Sequence, residues 1–118
     1  MKPECVATIF HVANVEASIN YYTTVLGFKQ EFRYHDLAGM EYGNVLIYLS
    51  GPGQDVKRMI GQGSVYIFCD EVDLYYADIS TKGALIDVPM DDRPYDMRDF
   101  AIKDPDGNII TFGVSIKG

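Results

Sequence analysis

The sequence predicts an α+β domain built from two βαβββ modules whose open mixed sheets enclose a cleft. Three observations predict it. Apolar residues recur at helical spacing from Val15 to Leu26, and again from Val72 to Ile79. Each helical stretch follows one β-like run and precedes three more. The pair Gly43-Asn44 returns as Gly107-Asn108, each time opening an apolar run. Val15 and Val72 lie 57 positions apart, as do Ile19 and Tyr76, whereas the two Gly-Asn pairs lie 64 apart. The extra seven residues fit a longer connection holding Pro89 to Asp96. One domain therefore spans 1–118, with module 1 at about 4–50 and module 2 at about 63–116.

The elements follow in order. Cys5 to His11 is apolar and β-branched enough for a strand. Asn14 can cap a helix carrying Val15, Ile19, Tyr22 and Leu26, and Gly27 supplies the stop. Phe28 to Tyr34, Ala38 to Tyr42 and Asn44 to Ser50 read as a three-stranded meander, and Gly51-Pro52-Gly53 begins a loop reaching about Gly63. The order then repeats. Ser64 to Cys69 is a strand, Asp70 or Glu71 can cap the second helix, and Gly83 ends it. Ala84 to Val88, Met97 to Lys103 and Asn108 to Ser115 supply three further strands. Between the last two, Asp104-Pro105-Asp106-Gly107 is a tight turn: Asp suits its first position, Pro pre-sets φ at the second, and Gly tolerates positive φ at the fourth.

Ten basic and 17 acidic residues give a net charge of −7. That balance disfavours nucleic acid and anionic membranes as partners, because both attract Lys/Arg-rich surfaces. It suits a cationic or neutral ligand, and it equally serves solubility. No run approaches the length of a membrane span, and the first residues, MKPECVATIF, lack a signal-peptide pattern. Cys5 and Cys69 are too isolated for metal-type spacing. Two such cysteines without an export signal predict reduced thiols and a cytoplasmic location.

A four-stranded sheet buries only one face under its one helix. The other face stays open, and strand alternation tells which side chains reach it. Val6, Thr8, Phe10 and Val12 form one set on the first strand, and Ala7, Ile9 and His11 the other. On the fifth strand Val65, Ile67 and Cys69 oppose Ser64, Tyr66 and Phe68. The more apolar sets should face the helices. Ala7, His11, Ser64, Tyr66 and Phe68 should then face the cleft; the competing reading of Tyr66 and Phe68 is core between strand and helix.

The paired modules, the segment NVEASINYYTTVLG and the DPDGN turn together resemble the vicinal oxygen chelate superfamily: glyoxalase I, extradiol dioxygenases, fosfomycin resistance enzymes and bleomycin resistance proteins. Gly27-Phe28 with Glu31-Phe32-Arg33, and the stretch RPYDMRDFAIKDPDGNIITFG, are similar to the bleomycin resistance branch. The resemblance implies a homodimer whose chains close two symmetric cavities. It also implies where metal-dependent members place their ligands, on the first and last strand of each module. By spacing these are Ala7, Ile47, Ser64 and Thr111 here, with Tyr48 one position from Ile47. None is a good ligand: Ala and Ile cannot coordinate, and neutral hydroxyls are weak donors. No metal or other cofactor is therefore expected. Without a Lewis acid the superfamily's usual chemistry has no obvious substitute, since His11 stands alone on its strand, His35 falls in a turn and no His-Cys pair stands out.

The expected ligand-binding residues are Tyr66, Phe68, Ile47, Leu49, Tyr95, Met97, His11 and Leu37. Flat aromatic faces suit stacking on planar groups. By the resemblance, Tyr95 holds the place of an aromatic ligand contact; Leu37 holds another, but an aliphatic residue cannot stack. Asp91, Asp92, Asp96 and Asp99 cluster beside Tyr95 and can form an acidic rim for a cationic ligand, or simply a solvated loop. The expected function is metal-independent binding and sequestration of an antibiotic-like small molecule, not catalysis. The rivals are a lyase or dioxygenase with an atypical metal site, and a sensor or interaction module.

Overall fold

A computed structural model describes residues 1–117. The order is β1 (Ala7–His11), α1 (Val15–Thr24), β2 (Lys29–Tyr34), β3 (Leu37–Tyr42), β4 (Val45–Ser50), β5 (Ser64–Phe68), α2 (Val72–Thr81), β6 (Leu85–Asp92), β7 (Met97–Lys103) and β8 (Ile109–Ser115). These are the two expected βαβββ modules. The sheets run β1-β4-β3-β2 and β5-β8-β7-β6, each with its outer strand pair, β1·β4 or β5·β8, parallel and the rest antiparallel. The molecule is only 24 Å thick, room for one helix layer on one sheet layer. No helix among the described residues is long and apolar enough to cross a membrane.

Local chemistry sets the helix ends. The Asn14 side chain accepts from the Ala17 N–H at 3.0 Å, as a cap should, and Gly27 at φ +82° lets the chain leave α1. The start of α2 differs: Glu71 occupies the cap position at φ +44° and its side chain makes no capping bond. Both helices cover the faces expected of them. Phe10, Val12, Ala38 and Met40 are fully buried in the first module, as are Ile79, Phe100, Ile102 and Ile110 in the second. The opposite faces stay uncovered, with Ile9 55% and Phe68 77% exposed.

Two details depart from the sequence reading. Strand β6 runs on through Pro89 to Asp92, where a connection was expected. It is an edge strand with register shifts on both sides of Val88, so the missing Pro89 N–H breaks no ladder. The second departure is register. β1 pairs with β4 as Ala7↔Leu46, but β5 pairs with β8 as Ser64↔Ile109. The structural repeat between β4 and β8 is therefore 63 positions, not 64, and Thr111 corresponds to Tyr48 rather than Ile47. A slip of one residue inverts the faces of a strand.

The modules are locked together through the β7–β8 turn. Asp104, 1% exposed, accepts from the Asp106 and Asn108 N–H groups through Oδ1, and from the Tyr22 hydroxyl and Asn108 Nδ2 through Oδ2. Asn108 reaches on to the His11 carbonyl and accepts from the Gly63 N–H. Asp106 accepts from the Ala13 N–H, and the Tyr21 hydroxyl donates to the Lys103 carbonyl. Across the junction the Tyr75 hydroxyl donates to the Leu26 carbonyl.

Tyr22 is fully buried, so Tyr22→Phe removes one donor from Asp104 and puts nothing in its place. The expected loss is about 1–2 kcal/mol of unfolding free energy, read from the midpoint of urea denaturation. Tyr34→Phe, at a 65%-exposed ring, should stay within about 0.5 kcal/mol of the parent.

Candidate functional site

The open face of the second sheet carries an ordered polar cluster set among aromatic rings. Asp99 on β7 lies opposite Gly113 on β8, and Gly113 lies opposite Phe68 on β5, so these positions share a face. Tyr66 stands beside them. Its hydroxyl and that of Tyr95 both donate to Asp99 Oδ2 at 2.8 Å. Arg93 Nε donates to Asp99 Oδ1 at 2.7 Å, and its Nη2 to the Pro89 and Asp99 carbonyls. Gly113 is required beneath: a Cβ there would stand 2.1 Å from the Tyr66 hydroxyl oxygen. Tyr66 and Phe68 pack with ring centroids 5.0 Å apart, and Tyr95 remains 60% exposed.

Burial alone would raise the Asp99 carboxyl, but the bonds from Arg93, Tyr66 and Tyr95 outweigh it and hold it below the usual range. Tyr66 is raised by loss of solvent and by its bond to Asp99; Tyr95 is raised chiefly by that bond. At neutral pH the cluster is one carboxylate, the guanidinium ion of Arg93 and two phenols. None of these groups is poised for proton transfer near pH 7. Burial also pushes the Cys69 thiol up, away from the thiolate a nucleophile needs.

The remaining expected site residues separate. Met97 is half-buried on this same face, opposite Ser115. His11 and Leu37 belong to the open face of the first sheet, in a concavity of ≈ 750 Å³ that Ile9, His35, Tyr48 and Arg58 also line. Phe32 lies over Gly39 there and meets Tyr48 edge-on at 5.1 Å. Ile47 and Leu49, expected in the cleft, are instead fully buried on the face toward α1, paired in register with Thr8 and Phe10. The one-residue difference in repeat explains the displacement.

The acidic rim also comes apart. Asp99 is 3% exposed and neutralised by Arg93. Asp92 pairs with Arg98, which also binds Asp73 of α2, and both lie on the helix side of the sheet, in the alternation that buries Phe100 and Ile102. Asp96 is an exposed turn residue at φ +62° whose N–H donates to the Arg93 carbonyl. Asp91 is exposed and accepts from the Asp92 N–H. Arg93 is the residue that reading by sequence missed. Its nearness to four aspartates was visible; which one it would hold was not.

Of the four positions that the resemblance implies for metal ligands, Ala7, Ser64 and Thr111 lie on the open faces, whereas Ile47 is buried toward α1 and its neighbour Tyr48 takes the equivalent open-face place. A methyl group, a phenol and two aliphatic hydroxyls do not fit a divalent ion, which takes imidazole, carboxylate or thiolate. Among the described residues no three His, Cys, Asp or Glu side chains come together as a metal-binding group.

The lowered Asp99 carboxyl makes the cluster's contribution to stability pH-dependent. Its folded-state value lies below that of the unfolded chain, so the contribution is complete above about pH 4 and is lost as the pH falls through the folded value. Asp99→Asn should therefore lower the urea midpoint at pH 7, and the gap from the parent should shrink progressively below about pH 4. A gap that stays constant down to pH 2.5 would show that the ionised pair does not contribute.

Solved structures share this architecture. TioX from Micromonospora sp. ML1 superposes with a TM-score of 0.83 at 17% identity, over 96% of this chain and 99% of that one. A lactoylglutathione lyase from Agrobacterium tumefaciens gives 0.78 at 19% identity, over 97% and 96%. The bleomycin-binding protein from bleomycin-producing Streptomyces verticillus, solved with copper(II)-bleomycin, gives 0.78 at 21% identity, over 95% and 96%. At these identities the likeness is one of fold. No curated protein matches the chain. The profile of one family matches residues 6–112, nearly the whole of both modules, and by that match the chain belongs to the Glyoxalase/Bleomycin resistance protein/Dioxygenase superfamily.

Proposed function

We propose that this protein is a metal-independent small-molecule binding protein of the bleomycin resistance type, a cytoplasmic homodimer that sequesters a planar ligand. One observation carries the reading. Phe68 and Tyr95 stand exposed on a sheet face whose polar groups are already bonded to each other. Exposed rings on a rigid, prearranged support suit stacking at low conformational cost. Sequestration needs such a surface and no catalyst. The unsuitable donors at Ala7, Tyr48, Ser64 and Thr111 favour binding over Lewis-acid chemistry. The solved relative that carries copper(II)-bleomycin gives the ligand class a precedent on this fold. Both open faces leave large apolar side chains uncovered, Ile9 on one and Phe68 on the other, which favours a second copy as their cover.

The competing reading is a lyase or dioxygenase with an atypical site. It is favoured by His11 and His35 lining one concavity on the first sheet, and by the likeness to a lactoylglutathione lyase.

Calorimetric titration with planar compounds, bleomycin among them, separates the two. Phe68→Ala and Tyr95→Ala should each weaken binding roughly tenfold, the scale of one aromatic contact. Asp92→Asn should leave association unchanged, because its charge is held on the other side of the sheet. Protein purified without chelators should hold no stoichiometric Zn, Ni, Fe or Mn and sediment near twice 13.2 kDa. One ion per chain with turnover abolished by His11→Ala would establish the enzyme instead.

A further inference from the structure

Asp99 Oδ2 accepts from two phenols at once, each at 2.8 Å. The two hydroxyl oxygens are therefore at most twice that distance apart, close enough for one small polar group to reach both. An ionised carboxylate has no proton to give, so both bonds run from tyrosine to aspartate. Arg93 keeps Asp99 in that form by donating to its other oxygen at 2.7 Å. Each phenol has one proton, and here each proton is committed. What Tyr66 and Tyr95 offer outward is lone pairs.

We propose that Asp99 sets the hydrogen-bond polarity of the aromatic face, so that Tyr66 and Tyr95 act as acceptors and select planar ligands bearing N–H donors, such as amidinium or aryl N–H groups, against carboxylates and ether-type isosteres. This rests on the stacking surface proposed above and adds the ligand's chemistry to it. The selection does not come from an acidic rim. Asp99 and Arg93 together are neutral, and although the exposed Asp91 adds a negative charge to this face, the preference between neutral ligands belongs to the direction of two O–H bonds. A ligand presenting an acceptor meets lone pair against lone pair. It binds only if a tyrosine proton leaves Asp99, which strands part of a buried carboxylate. Asp99 and Arg93 are positioning residues on this account, since neither is required to touch the ligand.

Two probe pairs separate polarity from charge and from stacking. Indole and benzofuran are neutral and nearly isosteric, and only indole has an N–H. Benzamidine and benzoate have opposite polarity on one ring. Each is titrated into 15N-labelled protein while the amide resonances of Phe68 and Gly113 are followed. Indole should bind about fivefold or more tighter than benzofuran, and benzamidine tighter than benzoate by a larger ratio, as expected for a charge-assisted bond. In the Tyr66→Phe/Tyr95→Phe variant the rings remain, and the indole preference should fall to near unity. Equal binding of indole and benzofuran, with both shifting Phe68 and Gly113, overturns the polarity and leaves stacking intact. If none of the four probes shifts those resonances at millimolar concentration, the face is not a binding surface, and the function proposed above falls with it.

Discussion

The carboxylate of Asp104 is the point on which the two-module arrangement depends. Four hydrogen bonds converge on it, three from within its own turn and one from Tyr22 of the other module. A βαβββ unit of some fifty residues is too small to bury much of its surface alone. Pairing gains apolar burial only if the units meet in one orientation, and apolar contact is poor at choosing orientations. The DPDGN turn supplies direction. Asp104 shapes the turn by holding two of its N–H groups, and the shaped turn presents Asn108 and Asp106 to His11, Gly63 and Ala13. The same atoms thus define a local bend and an inter-module contact. That dual use explains why buried charge is tolerable there: every donor it needs is at hand.

The junction works because the modules are similar without being copies. Their first strands and helices keep one repeat length, but the hairpins do not. In module 1, Gly43 and Asn44 are the whole turn between Tyr42 and Val45, whereas Gly107 and Asn108 end a five-residue turn between Lys103 and Ile109. The longer turn gives module 2 the reach to contact module 1. Counted from each Gly-Asn pair, β8 meets β5 one residue earlier than β4 meets β1. Thr111 on the open face is therefore in line with Tyr48, while Ile47 lies in the core through its own pairing with Thr8.

Much of the fold was legible because it is written in local chemistry. Alternation along β1 and β5 assigned Phe10 and Ile67 to the helix side and His11, Tyr66 and Phe68 to the open side, as the burial pattern has it. Asn14 and Gly27 marked the ends of α1 for physical reasons that needed no partner. The misplaced site residues depend on register between distant strands. Gly43-Asn44 and Gly107-Asn108 align as identical letters, but hydrogen bonds align strands. Ile47 and Leu49 were misplaced for that reason. Strand β6 was cut short because Pro89 reads as a terminator, and only its edge position makes it harmless.

The acidic surplus shows the same limit in electrostatic form. Counting residues gives −7 and a run of aspartates beside Tyr95, which suggests a negative field at the cleft. Position along the chain does not tell which side of the sheet each carboxylate occupies. Asp91 and Asp99 share one face, while Asp92, a single residue on, joins Arg98 and Asp73 on the other. Asp99 is then spent on Arg93, so the aromatic face keeps less negative charge than the run of aspartates suggests, that of the exposed Asp91. What remains there is finer than charge. An ionised pair of no net charge still has direction, and it passes that direction to any group whose proton it takes. In a surface built from phenols this decides more than the number of nearby aspartates, because two committed protons leave the rings' oxygens able only to accept.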